Sequence, residues 1–487
     1  MMTATLQHLI AGSWLSGSGD TLTSLNPARP TDVIAEGGMA SAPDVDAAVA
    51  AASEAGSAWA ATPVHGRGAV LSAAADIVER NAESWGAELA AEEGKTKGEA
   101  VGEVHRAAQI LRYYGNEGDR QSGDIFASPR AGEQILVTRK PVGVVGVITP
   151  FNFPIAIPAW KIAPALVYGN TVVWKPASTV PLLATRLAGA LCDAGLPAGV
   201  LNLLIGGAEI GDAIVGHGNI DAVTFTGSTG IGRRIASAAA ARGVPVQAEM
   251  GGKNAAVVLD DADMDLAVEQ VMLGAFRSSG QKCTATSRLI VTDRIADRLL
   301  EVLTERARAL VVGDPTDDRT QMGPVINESA SKSIRAGVQG AVAQGATVLA
   351  GGDPYTDGPL ADGYYVAPTI VEVSDTAADI WTDELFGPVL AVCRAPDADT
   401  AFDLANDSEF GLSAAVFTQD LTRALQAVDQ IDVGVLHLNS ESAGADPHVP
   451  FGGAKKSGLG PKEQGGAARE FFTHTTTVYL RGGRSGE

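Results

Sequence analysis

Cys283 is a candidate nucleophile for chemistry at a carbonyl carbon. It follows Gly280-Gln281 at the end of a predicted helix, so its thiol lies at a turn. The adjacent Lys282 is expected to lower the pKa of this thiol, because a nearby cation stabilises the thiolate. A single cysteine is more often a small buried apolar residue, and that interpretation is kept for Cys192 and Cys393, which lie in apolar periodic segments.

Glu249 and Asn152 are candidates for the polar groups that such a nucleophile needs. Glu249 ends a predicted strand and precedes two glycines, and strand ends line the ligand crevice of an α/β sheet. Partial burial there would raise its pKa and make it a general base. Asn152 stands in Pro150-Phe151-Asn152-Phe153-Pro154, a stiff loop that could hold an amide donor for an oxyanion. Taken singly, a solvated glutamate and an Asx-turn asparagine remain the simpler interpretations.

A glycine-rich turn after a predicted strand could bind phosphate. The segment Phe225-Thr226-Gly227-Ser228-Thr229-Gly230-Ile231-Gly232 runs from a strand into a helix at 233–241. Backbone N–H groups at the start of a helix suit a phosphate group. The spacing departs from G-x-G-x-x-G, and Gly206-Gly207 after another strand is a weaker version of the same feature. Such a turn alone does not identify a ligand.

Strands that alternate with helices must position these residues. The predicted strands form two series, at 142–148, 171–174, 200–205, 222–225 and 246–249, and then at 255–259, 288–291, 389–393 and 434–438. We therefore predict an α/β fold with two parallel-sheet domains. The β-branched stretch at 475–480 follows the last domain and needs a sheet edge to pair with, which another subunit could supply.

The composition excludes several classes of function. In 487 residues, 36 basic and 57 acidic side chains give a net charge of −21, which disfavours nucleic acid and anionic lipid as partners. No segment offers the roughly 20 apolar residues that cross a bilayer, and Met1–Ile10 lacks the pattern of a signal peptide. Three widely spaced cysteines fit neither a disulfide framework nor a zinc site, so we expect no metal and a cytoplasmic location.

Six motifs in this order make the chain resemble the aldehyde dehydrogenase superfamily. The resemblance covers nearly the whole chain, from Asn26-Pro27 to Phe451-Gly452-Gly453. The motifs are Pro150–Pro154, Trp174-Lys175-Pro176, Phe225–Thr229, Glu249–Lys253, Gly280–Cys283 and Glu384-Leu385-Phe386-Gly387-Pro388.

The resemblance implies a mechanism. Cys283 attacks the aldehyde carbonyl, the Asn152 amide holds the oxyanion, and Glu249 activates the water that hydrolyses the resulting thioester. A carboxylate at position 249 indicates release of a free acid and not transfer to coenzyme A. The residues implied in cofactor binding are Thr149, Pro150, Lys175, Ser178, Gly206, Phe225, Gly227, Ser228, Glu384 and Phe386.

Ser178 bears on the choice between NADP and NAD. Members of the family that select NAD tend to carry glutamate three residues after the lysine that corresponds to Lys175. Serine at this place removes the repulsion of a 2′-phosphate and adds a donor, so NADP is the expected cofactor. A merely tolerant serine would leave NAD in use as well.

The segments around Cys283 and Phe451-Gly452-Gly453 are similar to family members that oxidise α-ketoglutaric semialdehyde (2,5-dioxopentanoate). This anionic aldehyde calls for a cation, and Arg277 or Lys161 could provide it. An Arg277 paired on the helix surface is an equally good interpretation. Phe151 replaces the tryptophan of many relatives and reshapes the entrance. Succinate or glutarate semialdehyde, a broad range of aldehydes, and a cysteine esterase or thioesterase remain alternatives.

The resemblance also implies a division of the chain. An NAD(P)-binding domain would comprise residues 1–116 and 139–250, and a catalytic domain residues 251–462. Both would be Rossmann-type α/β domains. A β arm formed by 117–138 and 463–487 would join subunits into a homodimer or homotetramer.

Overall fold

The structure, a computed structural model, describes residues 3–483 of the chain. Its strands are β1 (Ala4–Thr5), β2 (His8–Ile10), β3 (Ser13–Leu15), β4 (Thr21–Asn26), β5 (Arg29–Gly38), β6 (Asp124–Ala127), β7 (Glu133–Pro141), β8 (Val144–Ile148), β9 (Thr171–Lys175), β10 (Leu201–Leu203), β11 (Ala222–Thr226), β12 (Val246–Glu249), β13 (Asn254–Val258), β14 (Thr286–Thr292), β15 (Thr347–Ala350), β16 (Thr369–Glu372), β17 (Val389–Ala395), β18 (Phe410–Gly411), β19 (Ser413–Phe417), β20 (Val435–Leu438), β21 (Ala454–Lys455), β22 (Gly458–Leu459) and β23 (Thr473–Arg481).

The α-helices fill the connections between these strands. They are α1 (Ala42–Ala61), α2 (Val64–Arg80), α3 (Ala82–Glu93), α4 (Lys97–Gly115), α5 (Ala156–Val167), α6 (Leu182–Asp193), α7 (Ala208–Gly216), α8 (Thr229–Ala241), α9 (Met264–Phe276), α10 (Asp293–Ala309), α11 (Glu328–Ala343), α12 (Pro359–Asp362), α13 (Asp379–Thr382), α14 (Ala398–Asn406), α15 (Leu421–Gln430) and α16 (Ala467–Phe472). Among the described residues, no helix combines the length and apolar character needed to cross a membrane.

The first large sheet has the strand order β22-β12-β11-β8-β9-β10-β2-β3. Its five central strands, β12 to β10, are parallel, and the strands beyond them pair antiparallel. All residues of β8, β9 and β11 are buried, because helices cover both faces of the sheet. The predicted parallel sheet is confirmed, with antiparallel edges added to it.

The second large sheet has the order β15-β16-β17-β14-β13-β19-β20 and is parallel except for β15. It confirms the second series of predicted strands. Strand β19 was absent from the prediction, although it lies between β13 and β20 and is buried throughout. Its sequence, Ser413-Ala-Ala-Val-Phe417, begins with residues of low strand propensity, and burial between two neighbours overrides that preference.

A third, antiparallel sheet has the order β23-β7-β6. The predicted terminal strand pairs along its whole length with β7 of its own chain, from Thr473 opposite Pro141 to Arg481 opposite Glu133. It therefore finds its edge without another subunit. The predicted cofactor domain begins at residue 1 and the predicted arm ends at residue 487. Residues 1–2 and 484–487 lie outside the described residues.

The parallel strands bring several candidate residues to one edge of the first sheet. Ile148 pairs with Lys175 on one side and with Phe225 on the other, and Thr226 pairs with Glu249. Because these are the carboxyl ends of parallel strands, the loops that follow them converge at one crevice. The connection from β12 to β13 then leads directly into the second sheet.

Candidate active site

A cavity of about 870 Å³ lies where the two large sheets meet, lined from the first sheet by the loops after β8, β9 and β11. The second sheet contributes the segments before β14 and β17. Of the candidate residues, those that line it are Thr149, Pro150, Phe151, Asn152, Lys175, Ser178, Phe225, Gly227, Ser228, Cys283, Glu384 and Phe386. Its size is within the usual range for ligand and cofactor sites.

Cys283 reaches this cavity at the end of a tight turn. The residues before it, Ser278 and Ser279, have φ values of 52° and 53°, in the left-handed region. Gly280 has a φ of 67°, and a Cβ atom there would lie 2.2 Å from the carbonyl oxygen of Gly387, so only glycine fits. The turn therefore ends α9 and brings the thiol into the cavity.

The pKa of the Cys283 thiol is raised to about 12, first by burial and then by the negative charges of Glu384 and Glu249. The expected lowering by Lys282 is wrong. Its ammonium lies 3.3 Å from the carbonyl oxygen of Leu273 and points towards Glu441, so adjacency in sequence does not bring it to the thiol. At neutral pH the thiol is protonated and needs a base or a local positive charge to react.

Asn152 is a fixed amide donor in the same cavity. Its side chain is buried, and Nδ2 donates to the carbonyl oxygen of Gln281 over 2.9 Å. An amide nitrogen carries two hydrogens, so one hydrogen orients the group and the other is available to an oxyanion. Gln281 lies two residues before Cys283, so this bond also couples the loop of the amide to the loop of the thiol.

Glu249 lies next to the cavity without lining it. It is buried, and Oε2 accepts a hydrogen bond from the backbone N–H of Gly453 over 2.9 Å. Burial, and then the charge of Glu463, raises its pKa well above the ordinary value, while Lys161 acts in the opposite direction. A carboxyl group whose pKa is raised in this way binds a proton more readily than an exposed glutamate does.

The cavity continues along residues that suit a dinucleotide. Gly227 and Ser228 line it at the amino end of α8, and the nearby hydroxyls of Thr226 and Thr229 are buried without a partner among the described residues. Burial lowers the pKa of Lys175, which lines the same part of the cavity. Gly206 does not line it: it packs on Ile210, where a Cβ atom would lie 2.5 Å away.

Glu384 and Phe386 form the other end of this binding region. Glu384 Oε1 accepts from the backbone N–H of Gly252 over 3.0 Å, and burial raises its pKa to about 7. A Cβ atom on Gly251 would lie 2.0 Å from Glu384 Oε2, so a side chain there would push this carboxylate from its present position. Phe386 meets Phe151 edge to face at 5.7 Å. Cation, carboxylate, helix start and aromatic ring together fit a dinucleotide cofactor.

Comparison with known proteins identifies a family. Residues 14–478 match the aldehyde dehydrogenase family. The chain belongs to this family. It is 44% identical to an alpha-ketoglutaric semialdehyde dehydrogenase from Bacillus subtilis and 40% identical to an alpha-ketoglutarate semialdehyde dehydrogenase from Haloferax volcanii. The matches cover 98% of this chain in both cases, and 98% and 99% of the relatives.

A solved structure agrees with the fold. A betaine aldehyde dehydrogenase from Staphylococcus aureus in complex with NAD+ superposes with a TM-score of 0.94 at 32% identity, and the match covers 98% of this chain and 95% of that one. The predicted α/β fold of aldehyde dehydrogenase type is therefore confirmed. The chain is an NAD(P)-dependent aldehyde oxidoreductase.

Lys161 is not available to a substrate of this aldehyde dehydrogenase. Its side chain is 1% exposed, and its ammonium forms an ion pair with Glu463 and donates to Thr224 Oγ1 over 2.9 Å. Glu463 is about 300 residues further along the chain. The motif around Asn152 therefore could not reveal that the charge of Lys161 is already neutralised.

Arg277 is also engaged by carboxylates. Its guanidinium lies 3.0 Å from Glu441 and 3.8 Å from Glu99, and it lines a groove separate from the cavity of Cys283. Arg277 is therefore paired with carboxylates, which is one of the two interpretations that the sequence left open. Neither predicted cation is free to bind the carboxylate of a substrate.

Arg234 is a cavity residue that the sequence analysis missed. It lies on α8 and pairs with Asp212 of α7 over 2.9 Å, and both residues line the cavity. A signal existed: Arg234 is less than two helical turns after Ser228, on the helix whose start was expected to meet phosphate. Arg234 lines the same cavity as Ser178, with its guanidinium paired to the Asp212 carboxylate.

Proposed function

We propose that this aldehyde dehydrogenase converts an aldehyde and water into a free carboxylic acid through a thioester on Cys283. Cys283 loses its thiol proton to solvent, Sγ then attacks the carbonyl carbon, and the Asn152 amide and the Cys283 backbone N–H hold the oxyanion. Bound NAD(P) would supply the hydride acceptor. Glu249 then takes a proton from water, whose oxygen attacks the thioester carbon, and the thiolate leaves. The shared cavity of Cys283 and Asn152, joined through Gln281, is the observation that supports this assignment.

The direct test is Cys283→Ala. It should abolish oxidation of the aldehyde, measured as absorbance at 340 nm, and also any hydrolysis of a p-nitrophenyl ester without cofactor. Cofactor binding should persist, since the cavity residues that suit the dinucleotide remain. Continued hydride transfer would refute the nucleophile assignment. Ester hydrolysis faster than aldehyde oxidation in the wild type would favour the esterase alternative.

We infer that NADP is the preferred cofactor, with NAD also used. The four residues after Lys175 are Pro176, Ala177, Ser178 and Thr179, so no carboxylate there would repel a 2′-phosphate. Three of these four line the cavity together with Arg234. Titration of the free protein with NADP, NAD and 2′,5′-ADP, followed by tryptophan fluorescence, should give tighter binding for the two ligands that carry the 2′-phosphate.

We propose α-ketoglutaric semialdehyde as the substrate and 2-oxoglutarate as the product. The names of the Bacillus and Haloferax relatives support this choice. Arg277 gives this choice no support, because it is paired with Glu441 in a groove separate from the cavity of Cys283. This pairing is also the observation that favours the second candidate, an enzyme for succinate or glutarate semialdehyde or for a broad range of neutral aldehydes.

A panel of aldehydes with both cofactors tests the substrate. The expected order of kcat/KM places α-ketoglutaric semialdehyde above succinate and glutarate semialdehydes, and these above neutral aldehydes of similar length. Neutral aldehydes as the best substrates would contradict the proposal.

We propose that the chain forms a homodimer or homotetramer through the arm 117–138 and 463–487, beside the cofactor domain 1–116 and 139–250 and the catalytic domain 251–462. Four apolar side chains on the sheet of this arm are more than half exposed, Ile125 and Leu480 on one face and Phe126 and Tyr479 on the other, and a partner subunit would cover them. Ile125→Asp with Phe126→Asp should lower the mass measured by light scattering.

We also propose a cytoplasmic location, which the free state of all three cysteines supports.

A further inference from the structure

A buried ion pair lies directly behind the loop of Asn152. Lys95 precedes α4, Glu103 lies on that helix, and their side chains are 1% and 2% exposed. Lys95 Nζ and Glu103 Oε2 are 2.6 Å apart. Burial alone would lower the pKa of Lys95, but the charges of Glu103 and Glu93 raise it above the ordinary value, so the ammonium remains charged. Desolvating a pair this deeply buried costs free energy. Further hydrogen bonds from both side chains must offset that cost.

The pair fixes the Asn152 loop on both sides of the amide. Lys95 Nζ donates to the backbone carbonyl oxygen of Asn152 over 2.7 Å and lies 4.2 Å from the centre of the Phe153 ring. Glu103 Oε1 accepts from the backbone N–H groups of Ile155 and Ala156 over 3.0 and 3.2 Å. These donors at the start of α5 would otherwise lack a partner. Each end of the ion pair thus binds the same loop.

The same helix also holds the turn that leads to Cys283. Glu99 is four residues before Glu103, so both side chains lie on one face of α4. Its Oε1 accepts from the backbone N–H of Ser278 over 2.7 Å, and Ser278 has a left-handed φ. Its Oε2 accepts from the N–H of Thr96 over 3.0 Å, which ties the carboxylate to the start of the helix.

We propose that α4 is the positioning element of the active site, with the Lys95–Glu103 pair setting the Asn152 amide and Glu99 setting the turn before Cys283. One helical turn then determines the separation between oxyanion donor and nucleophile. The inference rests on the roles proposed above for Asn152 and Cys283. A shift of about 1 Å between such groups typically costs on the order of 100-fold in rate, which is the effect that the helix prevents.

The test is the double variant Lys95→Met, Glu103→Gln, which removes both charges of the pair. Glu93, whose carboxylate lies 3.9 Å from Lys95 Nζ, can stay neutral in this variant because burial raises its pKa to about 8. We expect kcat to fall about 10- to 100-fold, with the Kd of NADP changed less than about 3-fold. Glu92→Gln is the matched control: Glu92 is a buried carboxyl group on α3 that accepts from Ser24 and Leu182 and does not touch the Asn152 loop. It should retain the wild-type kcat. The single variant Glu103→Gln serves if the double variant does not fold.

A double-mutant cycle with Asn152→Ala separates positioning from general damage to the fold. Asn152→Ala alone should lower kcat by about 100- to 1000-fold. Adding the pair variant should then cost less than about 3-fold, because the group that it positions is gone. Independent, multiplicative losses, or an unchanged kcat in the pair variant alone, would overturn the inference. An unchanged kcat in Asn152→Ala would instead show that the proposed role of Asn152 is wrong.

Discussion

Replacing Lys161 with methionine would leave the buried carboxylate of Glu463 without its counter-ion. The two side chains are 1% and 2% exposed, and burial raises the pKa of Glu463 while Lys161 lowers it. Removing one partner of such a pair costs about 3–5 kcal/mol when the remaining group stays charged. Glu463 avoids this cost by taking up a proton, so the pKa of Glu463 should rise further in the variant.

The sign of the pH dependence follows from proton binding. Between the unfolded and the folded pKa of Glu463, the folded chain holds a proton that the unfolded chain has lost, so stability falls as pH rises. The slope is about 1.4 kcal/mol per pH unit for one proton. Between pH 6 and 8, Lys161→Met should therefore lose up to about 2.7 kcal/mol more than the wild type.

The assay is urea unfolding at pH 6, 7 and 8 and one fixed protein concentration, followed by tryptophan fluorescence. Lys161→Met, Glu463→Gln is the matched control, because its uncharged amide should remove the additional slope. Parallel curves for the wild type and Lys161→Met across this pH range would refute the reasoning. So would an equally steep curve in the double variant.

Three further outcomes test the active site. Ser178→Glu should raise KM for NADP at least about 10-fold more than KM for NAD, because the new carboxylate repels a 2′-phosphate; equal changes would contradict the cofactor argument. Glu249→Gln should give one rapid burst of NADPH and then slow turnover, since the thioester forms but water is not activated; a normal steady-state rate would be inconsistent with a general base. The alkylation of Cys283 by iodoacetamide in the free enzyme should accelerate about 10-fold per pH unit from pH 6 to 9, in line with a pKa near 12; a plateau in that range would refute it.

The central parallel strands of the first sheet could be located from the sequence because buried parallel strands leave continuous apolar runs between helices, but the order of strands in the sheets was not predicted. Strand β8 is such a run, and its carboxyl end correctly located the Asn152 loop. Strand β19 was missed because alanine and serine carry little strand preference, although two neighbouring strands bury it. The terminal strand was recognised, but the pairing of β23 with β7 joins segments more than 300 residues apart.

The partners of charged side chains could not be predicted from the sequence. Lys282 is adjacent to Cys283 in sequence, yet its ammonium turns away from the thiol towards Glu441. Arg277 and Lys161 were chosen as cations near a motif, and each is engaged by a glutamate distant in the chain. A one-dimensional pattern gives the position of a charge along the chain but not the direction of its side chain or the partner across the fold.

The sequence by itself indicated the family and the α/β class, and it singled out Cys283, Glu249 and Asn152 as candidates for the chemistry. Motif spacing is covalent information, and the carboxyl ends of parallel strands meet wherever such strands form. Only the tertiary structure decided which cations are neutralised, that Glu249 lies beside the cavity bound to Gly453, and that α4 braces the loop of Asn152. Those properties depend on burial and on contacts between distant segments, which exist only after the chain has folded.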